Sequence, residues 1–337
     1  MTEIPVVFTT LGDAGGIGPE VAAKSLSHED ATQGVQRLIV GPRILFEAGC
    51  EVAGIEPDLP VFERVESAIS HRPPIAFVEF NPTELSSLGY GESTRAAGEI
   101  DLALSRYAAD LYRDGAIDGF VFAPVNKVSL KMGGSAFEGY KAYIADYLGE
   151  TGSSAEINTI GHLWTTRVSS HVAIAEVPKY VNKGNVLDII RYFDRELKRF
   201  GYGNPKIAVS GLNPHNGDDG MFGREEIDEI GPAVAAARKF QINVEGPFPP
   251  DTIFLTVRDE EFLGVVSMYH DQCQIATKLL GFDEGVTYFG GLPYPIATPA
   301  HGTAYDIAGK GVARETPMVN ALKLMRRATL TAKGVPV

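Results

Sequence analysis

Hydrophobic positions in this chain follow two alternating patterns. Short apolar runs rich in β-branched residues predict buried strands at Val6 to Thr10, Arg37 to Val40, Gly119 to Phe122, Val172 to Ile174, Lys206 to Val209, Thr252 to Leu255 and Gly264 to Met268. Between them, helical spacing covers Gly18 to Ser25, Thr94 to Asp114, Lys183 to Arg199 and Glu225 to Lys239. In the second of these, Ile100, Leu102, Leu104, Tyr107 and Leu111 supply the apolar positions. Strands alternating with helices imply an α/β protein with a largely parallel sheet. No repeat, low-complexity tract or Ser/Gly linker marks a border. Residues 1–337 therefore read as one catalytic unit whose length suits two α/β lobes, with discontinuous boundaries.

Composition narrows the function. The chain is 44% hydrophobic with a formal net charge of -13, so no basic stripe is available to neutralise phosphates and nucleic acid is excluded as a partner. A small-molecule substrate is expected instead. Cys50 and Cys273 are too few for a disulfide framework or a Cys-rich zinc site, which fits a reducing cytoplasm and leaves N and O ligands for any metal. The start, Met1-Thr2-Glu3-Ile4-Pro5, lacks the basic and apolar regions of a signal peptide, and no stretch approaches the roughly 20 apolar residues of a spanning helix. A cytoplasmic protein without membrane contact is expected.

Three histidines stand in segments suited to a metal site: Ser170-His171, Asn213-Pro214-His215-Asn216-Gly217 and Met268-Tyr269-His270-Asp271-Gln272. Neutral imidazole is a common ligand for a catalytic divalent cation, and three protein ligands leave positions open for substrate. Asp271 and Asp251 are placed to orient imidazoles or to supply a carboxylate. Lys278 suits either a solvated helix face or the anionic end of a substrate. His28, His71 and His162 read as hydrogen-bonded structural residues. The Gly12 to Glu20 segment, between the first strand and a helix, is either an anion-facing turn or a tight strand-to-helix connection. The string His301-Gly302-Thr303-Ala304-Tyr305-Asp306-Ile307-Ala308-Gly309 reads as a nucleotide loop approached by backbone, or as a helix capped by Gly309.

Taken together, Gly-Leu-Asn-Pro-His at 211–215, Pro-x-Asp-Thr at 249–252, Tyr-His-Asp-Gln at 269–272 and His-Gly-Thr-Ala at 301–304 resemble the 4-hydroxythreonine-4-phosphate dehydrogenase (PdxA) family, in the family's order. The resemblance implies the two-lobed α/β fold of isocitrate and isopropylmalate dehydrogenases, with a cleft between lobes, and a homodimer with shared active sites. It implies one divalent cation (Zn, Mg, Mn or Co) on His171, His215 and His270, with His270 from the partner subunit. Asp251, Asp271 and Lys278 are the implied catalytic groups, Lys278 also meeting the substrate's anionic end. His301, Gly302, Thr303, Ala304, Asp306 and Gly309 are the implied NAD contacts, NADP being the alternative cofactor. The implied chemistry is oxidation of a secondary alcohol β to a carboxylate, followed by decarboxylation of the 3-oxo acid.

The chain departs from the family at the substrate end. Tyr140 and Lys141 stand where the family carries His-Thr, Thr287 where it carries asparagine and Ile296 where it carries arginine. Losing an arginine's paired donors weakens a phosphate pocket, because charge-assisted bonds to phosphate are strong. A hydroxy acid without phosphate, such as a carboxylated aromatic cis-dihydrodiol, is the resulting alternative substrate. Readings of another class are a non-catalytic ligand-binding dimer and a metal-dependent hydrolase.

Overall fold

The computed structural model describes residues 4–85, 89–150, 155–259 and 261–335. Two compact units divide the chain: Met1–Gly152 with Val286–Val337, and the inserted Ser153–Gly285. In chain order the strands are β1 Val6–Thr10, β2 Gln36–Gly41, β3 Val61–Phe62, β4 Ile75–Glu79, β5 Gly119–Phe122, β6 Glu156–Ile160, β7 Leu163–Arg167, β8 Ile207–Ser210, β9 Val244–Phe248, β10 Gly264–Ser267, β11 Val286–Phe289 and β12 Ile296–Pro299.

The first unit is a sheet in the order β3-β4-β2-β1-β5-β12-β11, parallel except for the antiparallel β11–β12 pair. Both faces are covered. Phe8, Phe120 and Ile296 pack with Leu104, Ala108 and Leu111 of the helix Arg95–Arg113. Val7, Val121 and Ala297 pack with Met318, Leu322 and Met325 of the helix Thr316–Ala332. Residues alternating along β1 thus enter different cores, which is why that strand is an unbroken run of buried residues.

The second unit orders its strands β6-β7-β10-β8-β9, with β7, β10, β8 and β9 parallel and β6 antiparallel to β7. Leu163, Ala208 and Val265 of the sheet bury against Ile253 and Val257 of the helix Ile253–Asp259. Gly264 permits close packing of the helix Lys183–Arg199, since a Cβ there would fall 2.5 Å from the Phe193 ring.

The expected strands at Val6 to Thr10 and Gly119 to Phe122 have those limits, and the helix expected from Lys183 to Arg199 has those ends. Glu225 to Lys239 divides into a π-helical turn, Glu226–Ile230, and an α-helix, Gly231–Lys239. Two expected strands are corrected. Val172 to Ile174 is a loop leading into the 3-10 turn Ile174–Glu176, and Thr252 to Leu255 is a turn running into the helix Ile253–Asp259. In the latter, Pro249 accepts from the N–H groups of Thr252 and Ile253 at 3.1 and 3.0 Å, so helix-initiating bonds override the β-branched propensity of the segment. Among the described residues, no helix is long and apolar enough to cross a membrane.

Candidate functional site

The carboxyl ends of parallel strands are where α/β proteins gather functional loops. In the second unit, β7, β10, β8 and β9 lie side by side, and each is followed at that edge by a residue chosen from the sequence: His171, His270, His215 and Asp251 respectively. Chain order separates these residues; sheet order makes them neighbours.

Adjacent β7 and β10 carry the closest pair. Ser169 N–H donates to the Met268 carbonyl at 3.0 Å, extending the ladder past the strand ends, and the rings of His171 and His270 then stand 5.8 Å apart between centroids. Two imidazoles on one tetrahedral cation, with metal–nitrogen bonds of ~2.0–2.1 Å, have ring centres roughly 5 Å apart, so this pair stands slightly wider than a closed site. His270 Nδ1 meets Asp271 Oδ1 at 2.7 Å, which leaves Nε2 for a ligand and fixes the ring as a carboxylate does in many metal sites. The donor chemistry and spacing fit a divalent cation. His270, expected from the partner subunit, lies beside His171 of its own chain, and no group of three His, Cys, Asp or Glu side chains among the described residues is arranged to hold a metal.

His215 lies in a loop with unusual backbone. His215 and Asn216 both take left-handed conformations, φ 54 and 57, which non-glycine residues hold only when their surroundings enforce it. Glu226, buried, supplies the enforcement: its Oε1 accepts from Leu212 and Asn213 N–H at 2.7 Å each, and its Oε2 accepts from Asn213 Nδ2 at 3.0 Å. Asn216 Nδ2 donates to Pro247 O at 2.8 Å. Gln272 joins this loop to the helix His270–Gly281, donating to Gly211 O at 3.0 Å and accepting from Met268 N–H at 2.8 Å. Asp251, Asp271 and Lys278 are exposed.

In the first unit, the loops after β1, β5 and β12 meet at the corresponding edge. Gly12 has φ 71, and a Cβ there would lie 2.5 Å from Pro124 O, so this loop closes on the one after β5. Its N–H groups are spent internally: Gly15 on Asp13 Oδ1, Gly16 on Asp13 O and Ile17 on Thr303 O, at 2.9 to 3.1 Å. The segment closes as a tight strand-to-helix turn. Asp13 is buried, which pushes its carboxyl up, while bonds to it, including 3.0 Å from the Tyr305 hydroxyl, act in the opposite direction.

The 301–309 loop is a series of turns, not a helix, with Ala304 at φ 44 and Gly309 at φ 75 against the Tyr90 ring. His301 Nδ1 lies 2.9 Å from Gly302 O, Thr303 is buried and Asp306 is exposed. A Cβ on Gly302 would meet open space, and the N–H groups of Gly302 to Asp306 donate no hydrogen bond to a described residue. A run of available backbone donors beside an exposed carboxylate fits a dinucleotide.

The substrate-end positions require correction. Tyr140 is 5% exposed, its ring packed edge-on against Phe122 and its hydroxyl given to Asp101 O at 2.9 Å, and Ile296 is fully buried in β12. Both are packed into the core of this unit; alignment with a motif carries position but not burial. Lys141 is half-buried with its ammonium 5.9 Å from the Phe289 ring centre, and Thr287 is half-buried on β11. Sequence reasoning passed over Glu226 and Gln272. Gln272 stood inside the Tyr-His-Asp-Gln motif, whereas nothing local distinguishes Glu226 from its acidic neighbours.

An α/β chain with an imidazole pair at one sheet edge and a donor-rich glycine loop at another has the construction of an enzyme for small molecules. The sequence model of a family described as "Pyridoxal phosphate biosynthetic protein PdxA" matches residues 35–325. A 4-hydroxythreonine-4-phosphate dehydrogenase of Desulfosudis oleivorans is 38% identical, with 92% of each chain covered. The D-threonate 4-phosphate dehydrogenase of Salmonella typhimurium is 36% identical over 96% of this chain and 98% of its own. Among solved structures, the 4-hydroxythreonine-4-phosphate dehydrogenase of Klebsiella pneumoniae superposes with a TM-score of 0.81 at 32% identity, covering 96% and 99% of the two chains. The chain belongs to the PdxA family. It is an oxidoreductase acting on a CH–OH group, a PdxA-like dehydrogenase.

Proposed function

We propose that the protein oxidises a secondary alcohol β to a carboxylate in a small hydroxy acid, using NAD and a divalent metal, and that the 3-oxo acid then loses CO2. The observation that carries this reading is the 5.8 Å approach of His171 and His270, with Asp271 on the far nitrogen of His270. When bound, the cation supplies polarisation of the alcohol oxygen and NAD accepts the hydride. His171, His215 and His270 are the residues to hold the cation, and the 301–309 loop is the one to hold NAD through its backbone donors and Asp306. Asp251 and Asp271 are the carboxylates at this edge able to take the alcohol proton. Lys278, on the same exposed helix face as Asp271, offers its ammonium to the substrate's anionic end.

A homodimer belongs to the same reading. Among the described residues of one chain no three His, Cys, Asp or Glu side chains come together to hold a metal, so a full set of ligands calls on a second subunit. Ile275 and Leu279, 59% and 84% exposed, flank Asp271 and Lys278 on the helix His270–Gly281 and offer apolar surface for such a subunit to cover.

The substrate is read as a hydroxy acid whose far end need not be a phosphate, because isoleucine stands at 296 where the resemblance places an arginine. The test is NADH absorbance with phosphorylated hydroxy acids, plain 3-hydroxy acids and carboxylated aromatic cis-dihydrodiols, before and after chelation. NADH formation from at least one, lost on chelation and restored by zinc, cobalt or manganese, is expected. No turnover with any of the three classes, or turnover indifferent to chelation, overturns the reading.

A further inference from the structure

The buried guanidinium of Arg167 is not among the residues that hold metal or cofactor. Its side chain is 2% exposed at the carboxyl end of β7, where it pairs in register with Ser267 of β10. All three nitrogens are committed. Nε donates to Ser170 Oγ at 2.7 Å, Nη1 to Asn158 Oδ1 at 3.0 Å and Nη2 to Glu156 Oε2 at 2.8 Å. The first bond fixes the residue immediately before His171. The second reaches an acceptor that also receives Gln274 Nε2 at 2.7 Å, and Gln274 is one helical turn beyond His270. One fork therefore grips the flank of both imidazoles, and the antiparallel strand β6, through Glu156 and Asn158, is its anchor.

We propose that Arg167 is a positioning residue for the His171–His270 pair, setting their separation through Ser170 on one side and the Asn158–Gln274 bridge on the other. The inference rests on the metal-site reading above. Its physical basis is that a planar, always-charged fork holds three separated acceptors in fixed directions, whereas lysine donates from a single rotatable point and methionine donates nothing. Partners behind the ligands commonly change metal affinity 10–100-fold when removed.

The experiment is a cobalt(II) titration of the full-length protein, read as dissociation constant and visible absorption spectrum. Arg167→Met removes the fork. Ser170→Ala with Gln274→Met cuts both outgoing branches while keeping the Arg167–Glu156 ion pair, so a variant that folds is available if the first does not. Cobalt affinity about 10–100-fold weaker, with an altered ligand-field band and unchanged far-UV circular dichroism, is expected of either. His171→Ala serves as the reference for loss of a ligand. Wild-type affinity and spectrum in a folded variant, with His171→Ala impaired, overturn the positioning role and leave the metal site standing. Absence of cobalt binding by the wild type removes the metal reading and this inference with it.

Discussion

Asp101 lies on the helix Arg95–Arg113, fully buried, with neither carboxyl oxygen hydrogen-bonded among the described residues. Burial first, and the charge of nearby Asp13 second, hold this carboxyl well above its ordinary value of 3.8. The folded chain keeps a proton that the unfolded chain releases, so the associated stability is fully present below the unfolded value and drains away as pH rises toward the folded one. Asp101→Asn keeps the shape without the ionisable proton. Urea denaturation should find it more stable than wild type at pH 8, with the gain shrinking at pH 4. An equal difference at both pH values contradicts the assignment. Neither this group nor the burial of Tyr140 was legible in the sequence. A carboxylate or phenol reads as surface or site from its type alone, and only the packing of the helix against β1 and β5 reveals the interior.

Elements were legible where local and tertiary preferences agree. The helix expected from Thr94 to Asp114 is such a case: Thr94 is its N-cap, accepting from Ala97 N–H at 3.1 Å, and Asp114 is its C-cap. Thr94→Ala should therefore cost about 0.5–2 kcal/mol in a urea or thermal unfolding measurement, and a neutral substitution would show the cap to be dispensable. The segment Thr252 to Leu255 failed for the opposite reason. Its β-branched residues favour a strand, but the preceding prolines and the bonds to Pro249 O start a helix. Strands β3, β4, β6, β7, β9, β11 and β12 are not marked by the apolar runs; β3 is two residues long, and β7 carries Thr165, Thr166 and Arg167, buried only through partners distant in the chain.

On the scale of the whole molecule, the parallel order β7-β10-β8-β9 brings loops widely spaced in the chain to one sheet edge. The sequence singles out His171, His215, His270 and Asp251 as candidates through their motifs. The topology accounts for their shared edge, and no local pattern reports that order, because β10 enters between β7 and β8 from later in the chain. Discontinuous boundaries were expected from length and the resemblance, but their positions, near 152 and 286, carry no compositional mark. The imidazole pair is the point on which the proposed chemistry turns. Its most direct test is the metal content of dialysed protein by inductively coupled plasma mass spectrometry, comparing wild type with His270→Ala. About one equivalent of divalent metal per chain in wild type, with most of it lost in the variant, is the predicted result; equal metal content in both proteins would contradict it.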